Sequence, residues 1–98
     1  MEDLKIIISE EGITEDGRKT FLAQCPQMDV TVLADSPKEA EKDLILIVKK
    51  NSESLLRDES DLRAKLKPLL PYARYVIECG ENFKFTQRIY IPSDLKYF

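Results

Sequence analysis

Carboxylates are the only side chains in this 98-residue sequence that could carry catalysis, and those at structural breaks are Asp29, Asp35 and the adjacent Glu10 and Glu11. The chain has no histidine, which removes the usual general base near neutral pH and the commonest zinc ligand. Cys25 and Cys79 stand too far apart for a CxxC pair, and no glycine-rich loop precedes a helix as a phosphate cradle requires. Structural roles account for the carboxylates: Asp35 precedes a helix start, where negative charge is favoured, and Glu10 and Glu11 flank a turn. Asp29 and Asp35 would make a weak hard-cation site only if the fold brought their oxygens together. The expectation is a non-enzyme with no cofactor and no metal.

Two other constellations are suited to binding. Lys84, Arg88 and Tyr90 fall on one side of the last extended segment, a basic row with an aromatic that could meet a nucleic acid. The neighbouring charges are mixed, so a solvated strand face is the favoured reading and nucleic acid is not the expected partner. Leu46 stands among charges on the polar side of a helix, as an isolated surface leucine or as a contact for a subunit or partner.

The composition restricts the remaining choices. At 43% hydrophobic and 34% charged, with a formal net charge of −3, the chain is one domain, residues 1–98, without a basic field to draw in phosphate backbones. No apolar run reaches the roughly 20 residues that span a bilayer. Met1-Glu2-Asp3-Leu4 lacks the positive start of a signal peptide, so the expectation is a cytoplasmic protein without membrane contact. Its two cysteines are then reduced and behave as small buried hydrophobes.

The elements follow from the hydrophobic period. Leu4, Ile6 and Ile8 share one side of a first strand, and Asp16-Gly17 favours a reversal. Phe21, Ala23 and Cys25 then alternate up to Pro26, and Val30, Val32 and Ala34 alternate after it, which completes an antiparallel meander. At Ser36-Pro37-Lys38-Glu39 the period becomes helical, with Ser36 as cap and Pro37 in the first turn. Ala40, Leu44, Ile47, Val48 and Leu55 form the buried stripe, with Asn51 inside it. Leu62, Leu66, Leu69 and Leu70 are spaced as a short second helix, limited by Pro68 and Pro71. Ala73, Tyr75, Ile77 and Cys79, then a turn at Gly80 to Asn82, then Phe83, Phe85, Ile89 and Ile91 read as a second hairpin. Leu95, Tyr97 and Phe98 are apolar enough to dock.

The first half resembles a known family. Asp16-Gly17 in a turn, Phe21-Leu22-Ala23 before Pro26, Asp29-Val30 leading into Thr31-Val32, and Asp35-Ser36-Pro37-Lys38-Glu39-Ala40 opening an amphipathic helix look like the N-terminal domain of HicB-like antitoxins. The resemblance implies a partly RNase H-like arrangement of meander, crossing helix and further strand. It also implies a protein-binding module that sequesters a small mRNA-cleaving toxin and commonly oligomerises. The sequence therefore leads to an α+β domain: a three-stranded antiparallel meander, one long helix on one sheet face, a short helix and a C-terminal hairpin. The expected function is that of a toxin–antitoxin binder or a stand-alone HicB-like protein, a homo-oligomer with a dimer favoured. The alternative is a nucleic-acid module using Lys84, Arg88 and Tyr90.

Overall fold

The alternation of Leu4, Ile6 and Ile8 with Lys5, Ile7 and Ser9 builds the strand on which the fold is laid down, β1 (Lys5–Ile13). The computed structural model describes residues 4–92. β1 pairs antiparallel with β2 (Lys19–Cys25), and β2 pairs antiparallel with β3 (Val30–Ala34). The β1–β2 turn closes through the Thr14 amide on the Arg18 carbonyl at 2.7 Å and the Gly17 amide on the Thr14 carbonyl at 2.9 Å. Gly17 has φ 87°, a conformation that a Cβ disfavours. At the β2–β3 turn the left-handed position falls to Asp29, φ 55°, whose short polar side chain tolerates it better than most.

Helix α1 (Pro37–Arg57) starts where the sequence places it. Ser36 is extended at φ −148°, and its Oγ accepts from the Glu39 amide at 3.1 Å. Ala40, Leu44 and Val48 are buried against the sheet, with Ser52 below them. Burying a leucine or valine contributes about 1.5–3 kcal/mol, against about 1 kcal/mol for a cap, so packing holds the helix and the cap sets its start. The expected polar residue in the stripe was Asn51, but Asn51 is exposed and Ser52 takes the place. Ser52 can be buried because its hydroxyl donates to the Val48 carbonyl at 2.7 Å.

The C-terminal hairpin is corrected. Residues 73–79 are helical, part of α2 (Leu70–Cys79). Leu70, Ala73 and Val76 are buried at spacings of three, a period that the same residues satisfy alongside period two. Pro71 lies in the first turn of α2 rather than closing a segment, and Gly80, at φ 56°, ends the helix rather than turning a hairpin. Where a short helix was expected over Leu62 to Leu70 there is one 3₁₀ turn, Lys67–Leu69, leading directly into α2, and a second 3₁₀ turn, Glu59–Asp61, precedes the segment. Arg74 on α2 holds Glu59 of the first turn at 2.6 Å.

With a helix in place of a strand, the last element returns in the same direction as the first. β4 (Gln87–Ile91) pairs parallel with β1, and the sheet order is β3-β2-β1-β4. A parallel pairing requires a crossover of this kind. Phe83 and Phe85 precede β4, buried and edge-on to one another at 5.2 Å, with Tyr75 of α2 edge-on to Phe83 at 6.3 Å. Both helices join one core with Ile6, Phe21 and Val30. The docking expected of Leu95, Tyr97 and Phe98 lies outside the described residues.

Replacing the cap tests the helix start. Ser36→Ala should lower stability by about 1 kcal/mol, read as a lower midpoint in urea denaturation at unchanged slope.

Candidate functional site

α1 lies over β3 and β2, and the part of the sheet beside β4 is left uncovered near the helix start. The result is a groove of about 730 Å³ between the first half of α1 and β4. Ile8 of β1 lies at its base, Ile45 and Leu46 of α1 form one wall, and Ile89 and Tyr90 of β4 form the other. Leu46, Ile89 and Tyr90 are all exposed. The lone leucine on the polar side of the helix thus stands opposite the last strand.

The row of Lys84, Arg88 and Tyr90 is not assembled as expected. Lys84 precedes β4, in the segment between the buried Phe83 and Phe85. Arg88 and Tyr90 lie on the helix side of the sheet, not its outer face: their register partners in β1 are Ile6 and Ile8, whose side chains are in the core. The cause is a slip of one residue. Thr86 bends the chain, its amide and its hydroxyl both donating to the Leu4 carbonyl at 2.9 and 3.0 Å, and the alternation restarts after it.

Both polar groups of that pair are engaged within the chain. Arg88 grips Glu41 of α1 with two bonds, Nε to Oε1 at 2.9 Å and Nη2 to Oε2 at 2.7 Å. This bidentate fork fixes the orientation of both side chains. The Tyr90 hydroxyl donates to Glu10 of β1 at 2.5 Å. That hydrogen bond, with some desolvation and the Glu10 charge, raises the phenol above its ordinary value of 10.0. The Glu41 carboxylate thus offsets the Arg88 charge, and the Tyr90 proton is committed to Glu10.

The acidic candidates are dispersed. Asp29 lies in the β2–β3 turn and Asp35 beyond the far end of β3, about 20 Å of extended chain away. Asp35 faces Arg18 at 3.7 Å. Among the described residues no group of three or more aspartate, glutamate or cysteine side chains is placed to hold a metal ion. Cys25 is buried in the core, and burial raises its thiol above the ordinary value despite amides from Met28 and Gln27 that favour the thiolate; Cys79 is half-buried. Among the described residues no helix is long and apolar enough to cross a membrane.

Sequence reasoning missed Ile8, Glu41 and Ile45 as parts of a site and gave Glu10 a place beside a turn, because these residues lie on two elements, β1 and α1, that the parallel return of β4 joins. Leu46, an apolar residue off the buried stripe, was the one signal. Comparison with protein-family models, with curated proteins and with solved structures gives no match.

The Tyr90 bond can be read by titration. The difference in absorbance at 295 nm between the wild type and Tyr90→Phe isolates this phenol, and its midpoint should lie above 10.0 and move back towards it in Glu10→Gln. With the folded value raised, the bond contributes stability fully below the unfolded value of about 10. That contribution should disappear as pH rises through the folded value.

Proposed function

We propose that this chain is a non-enzymatic protein-interaction module, an antitoxin-like binder of the HicB kind that works as a homodimer. The observation that carries this reading is the uncovered groove beside an edge strand, where Leu46 and Tyr90 are exposed together on the helix side and Ile89 is exposed on the strand that borders them. Apolar side chains clustered at the surface are what a protein contact uses, whereas scattered ones need no explanation. The meander, the crossing helix and the following strand are also the arrangement that the resemblance implies, an argument from analogy of fold.

The dimer uses the opposite side of the sheet. β3 is the other edge among the described residues, and Leu33 on it is 65% exposed. On the face away from the helices Leu33 pairs with Leu22. An edge bearing an exposed leucine is a template for pairing with a second copy.

Two measurements test these assignments. Light scattering after gel filtration should give a dimer for the wild type and a monomer for Leu33→Arg; a wild-type monomer sinks the dimer. Coexpression with the product of a neighbouring gene for a small basic toxin should give a complex and relieve growth arrest, and Leu46→Asp should weaken both by at least about tenfold, the loss of one buried anchor. A protein that neutralises no neighbouring toxin removes the antitoxin assignment.

A further inference from the structure

The form of the partner can be argued from the groove, resting on the reading of the chain as a protein-interaction module. Along β4, Arg88 and Tyr90 point to the helix side, while Ile89 is in register with Ile7 on the other face. The groove nevertheless touches Arg88, Ile89 and Tyr90 in succession. It therefore reaches round the strand to the edge, where the sheet ends among the described residues. An edge strand separated from a helix by an apolar groove is the geometry for strand addition: a peptide pairs with the strand through its backbone and sets alternate side chains into the groove.

Charge selects among such peptides. Four charged side chains line the groove, Lys38, Glu41, Lys42 and Arg88. Arg88 and Glu41 neutralise one another, and their fork holds the arginine against α1, away from the strand edge. Lys38 and Lys42 have no ion-pair partner among the described residues. The groove is thus locally positive on a chain whose net charge is −3. The two lysines are one helical turn apart, on the wall facing β4.

We infer that the groove binds an extended, acidic and apolar segment of a partner protein, which adds a strand to β4, seats an apolar side chain between Leu46 and Tyr90, and directs carboxylates at Lys38 and Lys42. A toxin that is basic as a whole would present such a segment locally. Lys38 and Lys42 set the preference for acidic flanks, and Leu46 supplies the apolar contact.

The test uses the full chain and a fluorescein-labelled eight-residue peptide alternating leucine with glutamate, beside its counterpart with lysine for glutamate. The acidic peptide should bind at least about tenfold more tightly at low salt, with the margin shrinking as salt is raised. Methylating alternate backbone nitrogens of the peptide should abolish binding, and amide shifts in a labelled protein should centre on Ile89 and Tyr90. Lys38→Glu with Lys42→Glu should reverse the preference. Leu46→Asp should weaken both peptides, and circular dichroism would verify that each variant is folded.

Equal binding of the two peptides, a preference that survives the charge reversal, shifts centred on β3, or no binding at all would each overturn the inference. The last case includes a groove already occupied by residues 93–98 or by a second copy. A toxin complex insensitive to the Lys38 and Lys42 reversals would leave the interaction reading standing and remove the strand-addition inference alone.

Discussion

The structure depends on β1 being paired on both sides. Its inward residues Ile6 and Ile8 are 0% and 7% exposed, with Leu4 just before it at 0%, and it carries β2 antiparallel on one flank and β4 parallel on the other. A strand in that position has its backbone groups satisfied by two neighbours and its apolar face covered by helices. Remove it, and β4 has no partner among the described strands, while the meander is reduced to one hairpin. Two-stranded pairs are marginal in water. The helices would then have no sheet on which to bury Leu44, Val48 and Val76.

The first half of the fold was legible because its signals agree with one another. Asp16-Gly17 permits the turn, Phe21, Ala23 and Cys25 keep strict alternation, and Ser36-Pro37 fixes where period two gives way to the helix. The second half was less legible because its signals are degenerate. Residues 70–79 satisfy both periods, and their boundary residues, Pro71 and Gly80, suit a helix start and stop as well as two loops. With that segment helical the chain can cross over to β4, which pairs parallel to β1, and no local pattern announces a parallel pairing 82 residues away. The face of Arg88 and Tyr90 was lost to the bend at Thr86, since a slip of one residue inverts every side chain beyond it.

The candidate site has the same origin. Leu46 could be picked out as an apolar residue in the wrong place, but what it faces depends on how α1 crosses the sheet. α1 follows β3 directly and rests on β3 and β2, leaving its first turns overhanging the β4 side. Glu41 and Arg88 close the gap at one point, and the remainder stays open. The groove is therefore a by-product of layer geometry, since α2 packs mainly against α1 rather than over the β4 side of the sheet. A fold of this size leaves some apolar surface uncovered by necessity, and here that surface borders a strand edge.

The hydrogen bonds from Thr86 to the Leu4 carbonyl span 82 residues, and this has a consequence for the birth of the protein. On the ribosome the chain emerges from its N-terminal end, at about 5–20 residues per second. β1, β2 and β3 can pair while α1 is still being made, yet the other flank of β1 must wait until β4 appears, the last of the described elements. For several seconds the nascent sheet presents Ile7 and Ser9 on an unpaired edge in the middle of what will become the core sheet. Long-range parallel closure of this kind is slow, and it can begin only once β4 has been made. The nascent chain is thus most open to pairing with the wrong strand at the flank that the finished protein hides.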